Sequence, residues 1–239
     1  MPRSRPPASS RTVSKPARSK PAGVDLKTKA MPQQERAVAT VERILAASVE
    51  LLAEVGIERL STNLICERAG ITPPALYRYF PNKYAVLREL GERLMRDQNR
   101  LIEAWATPQT MCLPAEAFGH SVLALFADTV ALTKSLPAGI WITRALRAVP
   151  ALSDVRVQSH RYVAGLIERA LLAAHPAASP QAAKVLARLA IEVGYAAQEM
   201  LFDDPDLDGE TVALQVASML TSETMKLRAA PKTGRPKTR

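Results

Sequence analysis

Tyr77, Arg78, Tyr79 and Lys83 are the most chemically loaded cluster in the chain. Phenol hydroxyls, a guanidinium and an ammonium in so short a stretch suit phosphate oxygens and base edges. Little else is arranged for catalysis. His120, His160 and His175 lack metal-ligand spacing, and Cys66 and Cys112 do not form a Cys-x-x-Cys pair. Neither cysteine has an identifiable base partner, and no glycine-rich phosphate loop follows a strand. No metal, cofactor or enzymatic activity is expected.

The elements that must position this cluster are helices. Residues 57–84 read as two short helices joined by Ala69-Gly70-Ile71-Thr72, a helix-turn-helix arrangement. Ser61 or Thr62 is a good N-cap for the first of them, and Gly70 ends it. Thr72 caps the second, with Pro73 at the first helical position, where a missing N–H costs nothing. Leu76 and Phe80 point inward. Asn82 caps a longer helix with the stripe Leu87, Leu90, Leu94, Leu101 and Trp105. Ahead of the motif, a helix starts near Gln33, carries Val38, Val41, Leu45, Ser48, Leu52 and Val55 at steps of three and four, and closes at Gly56.

Arg43-Ile44-Leu45-Ala46-Ala47, Leu51 to Gly56, Leu60-Ser61-Thr62, Ala69-Gly70-Ile71 and Leu76-Tyr77-Arg78-Tyr79-Phe80-Pro81-Asn82-Lys83 fall at consistent spacing. Over about residues 36–95 the chain resembles the tetracycline-repressor (TetR) family of bacterial transcription regulators. The resemblance implies an all-α fold: an N-terminal three-helix helix-turn-helix DNA-binding domain, then a larger helical ligand-binding and dimerisation domain. It implies a cytoplasmic homodimer, probed by double-stranded operator DNA at one end and a small-molecule effector at the other.

Carried over by position, Thr62 caps the first helix of the motif and touches a phosphate, and Thr72 does the same at the recognition helix. Tyr77 binds a phosphate through its hydroxyl, Arg78 and Tyr79 lie on or near the groove-facing side, and Lys83 takes a phosphate. Pro73, Pro74 and Ala75 stand where base edges are approached and offer only apolar contact. The alternatives are packing against the first helix for Tyr77, packing for Tyr79 because two tyrosines so close cannot share a direction on a helix, and a solvated charge for Lys83.

The charge is uneven. Residues 1–32 hold eight Lys/Arg against one acid, and 226–239 hold six Lys/Arg and no acid, within a net charge of +9. Residues 33–104 balance at ten against ten. A neutral head exerts little long-range pull on DNA. Arg11, Lys15, Arg18, Lys20, Lys27 and Lys29 in the arm are therefore expected to supply counterion-release binding. The arm is rich in Pro and Ser and reads as disordered. Thr233-Gly234-Arg235-Pro236-Lys237 partly resembles an AT-hook core, with Thr233 where that core has arginine. The organisation expected is a basic arm at 1–32, a DNA-binding domain at 33–105, a helical effector and dimer domain at 109–228 and a basic tail at 229–239.

Helices are expected near 114–134, 138–148, 152–174, 180–201 and 208–228, broken at prolines and at the Asp203–Gly209 segment. The last two are broadly apolar: Leu186, Leu189, Val193, Ala197 and Leu201 on one, Val212, Val216, Met219 and Leu220 on the other. They are the expected homodimer surface. Candidates for lining an effector cavity are Phe118, Phe126, Trp141, Arg144, Tyr162, Tyr195 and Gln198. For Trp141 and Arg144 the alternative is a core ring and a surface ion pair. No run of about 18 apolar residues appears, which argues against a membrane span, and two lone cysteines fit a reducing cytoplasm. The rival to the regulator is a helical adaptor whose basic tails bind DNA or anionic membrane without reading sequence.

Overall fold

The computed structural model describes residues 35–229, which form ten α-helices, one 3₁₀ turn and no strand. The expectations for the basic arm, the AT-hook-like run and nearly all of the basic tail lie outside the described residues. The helices are α1 (Glu35–Arg59), α2 (Thr62–Ala69), α3 (Pro73–Tyr77), α4 (Lys83–Trp105), α5 (Pro108–Met111), α6 (Ala115–Ser135), α7 (Gly139–Ala148), α8 (Ser153–Ala174), α9 (Pro180–Asp203) and α10 (Gly209–Ala229). A 3₁₀ turn, Pro150–Leu152, links α7 to α8.

Local chemistry sets most of these boundaries. Ser61 accepts a hydrogen bond from the Leu64 N–H at α2, Asn82 from Ala85 at α4, Thr107 from Thr110 at α5 and Ser179 from Ala182 at α9. Gly70 closes α2 in the left-handed region, at φ 59° and ψ 43°, and so makes the turn into α3. Gly56, at φ 73°, kinks α1 instead of ending it, and a last turn continues to Arg59. The short α5 occupies what reads in sequence as a simple break at Thr107-Pro108.

The helix-turn-helix core is shared with the rest of the chain. Ile44, Leu52, Ile65, Leu76 and Phe80 pack with Leu87, Leu90 and Leu94 of α4, and the same cluster takes in Ile142 and Leu146 of α7, Leu152 and Val155. At Gly91 of α4, a Cβ would lie 2.5 Å from Leu146 Cδ2. Glycine there lets α7 lie directly on α4. Arg88 reinforces the join with two bonds to Asp154 at the start of α8, 2.9 and 2.6 Å long. α7 therefore packs on α1 and α4 of the head as well as on α6 and α8 of the body.

The body packs α8, α9, α10 and α6 around a second apolar cluster centred on Phe118, Val163, Ile167, Leu171, Ala187 and Ile191. By length and composition alone, α6 is apolar enough to cross a membrane. Its exposed positions include Glu116, His120, Asp128 and Lys134, and its inner side packs on α4 and α10.

Of the residues read from sequence as dimer faces, Leu189 and Met219 are exposed, and Leu186, Val193, Leu201 and Leu220 are partly buried. Ala197, Val212 and Val216 are buried within this chain. The exposed large apolar residues of α9 and α10 are Val185, Leu189, Met200, Leu214 and Met219. The apolar stripes of α9 and α10 thus mix core-facing residues with exposed ones, because each apolar arc is wider than the face that the core covers.

Candidate nucleic-acid interface and interior cavity

The turn between α2 and α3 is held from α1. Arg43 donates to the Ala69 carbonyl and, at 3.2 Å, to that of Gly70. Arg68 grips Glu54 through two bonds of 2.8 and 2.7 Å and reaches Glu50 at 3.1 Å. These exposed pairs orient α2 more than they stabilise it. Their effect is to engage Arg43 and Arg68 within the head, which leaves Arg78 as an exposed cation with no ion pair among the described residues.

The outer edge of the motif carries Thr72, Pro73, Pro74, Tyr77 and Arg78 exposed, with Thr62 and Ala75 partly so. Tyr77 Oη lies 3.0 Å from Thr62 Oγ1, which pairs the start of α2 with the end of α3. In such a pair one hydroxyl donates to the other, and the accepting hydroxyl keeps its own O–H to donate to a phosphate oxygen.

Three sequence readings change here. Ser61, not Thr62, caps α2; Thr62 is its first helical residue. Thr72 stands at the N-cap of α3 but its side chain makes no capping bond. Pro73 and Pro74 have no N–H to offer, and the Ala75 and Leu76 N–H groups go to the Thr72 carbonyl. Tyr79 is only 7% exposed and belongs to the head core. The helix ends at Tyr77, and the turn after it brings Leu76, Tyr79 and Phe80 to the same inner side.

Lys83 is also differently employed. Its Nζ donates to the carbonyls of Ile57 at 3.1 Å, Glu58 at 3.3 Å and Leu60 at 2.9 Å. An ammonium has three protons, so all of its donors are directed at the end of α1. Those carbonyls follow the Gly56 kink and are the orphan acceptors of a helix terminus.

Within the body, two small apolar cavities adjoin, of about 70 and 60 Å³, both partly open to solvent. Val122, Leu125, Ala190, Ile191 and Leu220 line both. Phe126, Tyr195 and Gln198 face the first, and Phe118 with Trp105 faces the second. The structure therefore gathers four of the seven candidates. Trp141 is instead half-buried against the head core, with the Arg144 guanidinium 5.1 Å from its ring centroid. Arg144 donates to Asp203 Oδ1 at 2.9 Å and the Phe202 carbonyl at 3.1 Å. This is the core ring and surface pair of the alternative reading. Tyr162 is 49% exposed on the outside of α8.

Two residues missed in sequence stand behind Tyr195 and Gln198 at the polar end of the first cavity. Gln98 of α4 and Thr133 of α6 are fully buried. Gln98 Nε2 donates to Thr133 Oγ1 at 2.7 Å, Gln198 Nε2 does so at 2.6 Å, and Tyr195 Oη donates to Gln98 Oε1 at 3.0 Å. Tyr195 stacks on the buried His160 ring, centroids 4.1 Å apart. Burial pushes the Tyr195 phenol well above its ordinary value, and it holds the proton it donates. Gln98 had a signal: it sits four residues after Leu94, on the buried stripe of α4.

Residues 44–90 match the family model described as bacterial regulatory proteins, tetR family. The class G tetracycline repressor of Vibrio anguillarum is 43% identical over 56 residues, covering 23% of this chain and 27% of that one. An uncharacterized HTH-type transcriptional regulator of Mycobacterium tuberculosis is 31% identical over 116 residues, 48% of this chain and 49% of that one. The chain thus spans between about a quarter and a half of the length of these curated relatives. The fold is similar to that of SmeT, the repressor of the Stenotrophomonas maltophilia multidrug efflux pump SmeDEF, with a TM-score of 0.60 at 20% identity, covering 85% of this chain and 97% of that one. A SmeT–triclosan complex aligns with a TM-score of 0.59 at 23% identity, covering 84% of this chain and all of that one. The helix-turn-helix head thus matches the tetR family model, and the helical fold is similar to that of solved TetR-family transcriptional regulators.

Proposed function

We propose that this protein is a ligand-responsive repressor that binds an inverted-repeat operator as a homodimer and is released by a small molecule. The observation that carries the reading is the outer edge of the helix-turn-helix, where Thr62 and Tyr77 pair their hydroxyls beside the exposed Thr72, Pro73, Pro74 and Arg78. In this reading Thr62, Thr72 and Tyr77 take phosphates, Arg78 contributes a cation, and Pro73, Pro74 and Ala75 meet base edges. Lys83 acts through α1 instead of on a phosphate. The exposed apolar residues of α9 and α10 support self-association. The adjoining cavities support effector binding, as does the triclosan-bound neighbour.

The domain limits in this reading are a basic arm at 1–32, a reading head at 33–105, an effector and dimer body at 109–228 and a basic tail at 229–239. The protein works in the cytoplasm, where its DNA is.

Selection from a random DNA pool with the purified full chain tests the proposal, repeated after removal of residues 1–32. Enrichment of an inverted repeat by both proteins, with a shallower salt dependence for the shortened one, is the expected result. Tight binding at low salt with no enriched sequence would replace it with the adaptor that binds polyanions through its basic ends.

A further inference from the structure

The cavity's polar end has one acceptor left over. Thr133 has a single hydroxyl proton, and its Oγ1 lies 2.9 Å from the Thr129 carbonyl, to which it donates. The same Oγ1 then has only lone pairs for its other neighbours. Gln98 and Gln198 must both present their NH₂ groups to it, at 2.7 and 2.6 Å. Gln198 Nε2 also approaches the Thr129 carbonyl at 3.4 Å, which a flipped amide would turn into an oxygen–oxygen contact. The Gln98 oxygen is satisfied by Tyr195 Oη. Gln198 Oε1 accepts no hydrogen bond among the described residues, although Gln198 is 2% exposed and lines the cavity.

The walls constrain the rest. No Asp, Glu, Lys, Arg or His lines either of the two adjoining cavities. An ion placed in the first cavity would lose its hydration without gaining a counter-charge from its walls; at the second, Arg228 lies behind the Phe118 ring, 5.0 Å from its centroid. The first cavity is otherwise lined by groups such as Ile102, Phe126 and Ile191, and the second by Phe118, Trp105 and Leu171.

We infer that the site takes an uncharged, largely apolar molecule carrying a hydrogen-bond donor, a hydroxyl or N–H, which Gln198 Oε1 accepts. This rests on the reading of the body as an effector domain and adds the chemical class of the effector. The donor docks on the amide whose other end shares Thr133 with Gln98, so the ligand is linked through Gln198 and Thr133 to α4, whose first turns pack in the head core.

The test is isothermal titration of the full chain with 4-butylphenol, 4-butylanisole and 4-butylbenzoate. The three share ring and tail and differ in donor and charge. Expected are binding of the phenol, about 10-fold weaker binding of the anisole and at least about 100-fold weaker binding of the benzoate. In Gln198→Leu, the phenol and anisole should bind alike. Benzoate binding as tightly as the phenol, equal binding of phenol and anisole by the unaltered protein, or no binding of any of the three would each overturn the inference. The phenol–anisole comparison needs no variant and does not depend on how Gln198→Leu folds. Operator binding is read separately. Selective phenol binding that leaves the DNA complex intact keeps the ligand class and removes the release mechanism. Release by an anion that binds in preference to the phenol keeps the mechanism and removes the class.

Discussion

The hydroxyls of Thr62 and Tyr77 lie 3.0 Å apart and join the first turn of α2 to the last residue of α3. Neither helix is long enough to be stable alone, and the contact sets the distance between the two helix ends that would straddle a phosphate. Tyr77 is 40% exposed, so it is a member of the surface and not of the core.

Tyr77→Phe therefore separates binding from folding. It removes one hydroxyl while keeping the ring, and thermal melting should change by no more than about 0.5 kcal/mol of stability. Loss of a bond to a charged phosphate should weaken operator binding about 10-fold, or about 1.4 kcal/mol. A titration at fixed salt reads this. Unchanged affinity would remove Tyr77 from the interface.

Lys83 gives the opposite pattern. Its three bonds close the end of α1 onto the start of α4. Lys83→Met keeps the stem and removes the charge. It should lower stability by about 1–3 kcal/mol, since it strips donors from partly buried carbonyls. The dependence of log affinity on log salt should keep its slope, because no phosphate contact is lost. A direct phosphate ligand would reduce that slope by about one. Measuring melting and salt dependence on the same variant distinguishes the two roles.

Much of the head was legible because its boundaries are chemically marked. Ser61, Gly70, Pro73 and Asn82 each carry a cap, a left-handed turn or a missing N–H, and each stands at or beside a helix end. Tyr79 was not legible in the same way. Its orientation depends on α3 stopping at Tyr77, and nothing between Leu76 and Phe80 announces a stop. The cavity was the least legible part. Gln98, Thr133 and Gln198 are separated by 35 and 65 positions, and periodicity on one helix carries no information about which polar residue meets which across helices. Trp141 and Arg144 share a helical face as read, but that face meets the head and the end of α9 rather than the cavity.

His160 makes the body sensitive to acid. Burial lowers its affinity for a proton, opposed by Glu192 at 3.2 Å, while Arg156 and Arg188 lower it further. Its folded value lies below the ordinary 6.5, so unfolded chains bind the proton first. The stability that neutral His160 provides is full above about pH 6.5 and is lost as pH falls from there toward the folded value. Denaturant midpoints between pH 7.5 and 5 should decline, and His160→Gln should flatten the decline. An equally steep decline in the variant would assign the acid sensitivity to other groups.

The outer apolar residues of α9 and α10 predict how the protein assembles. Leu189 is 54% exposed and Met219 51%, beside Val185, Met200 and Leu214. Burying a side chain of this size stabilises an interface by about 1.5–3 kcal/mol. A charge at the same place leaves a buried carboxylate without a partner. Leu189→Glu with Met219→Glu should therefore convert a dimer into a monomer in sedimentation at micromolar concentration. Because both residues face away from the core, the helical signal should be kept. Operator affinity should fall by at least about 100-fold, since one head reads only one half of an inverted repeat. The linkage between the two measurements is what matters. A variant that stays dimeric moves the interface elsewhere on the body. One that becomes monomeric yet binds the full operator with unchanged affinity shows that the heads act singly, and the inverted-repeat reading falls with it.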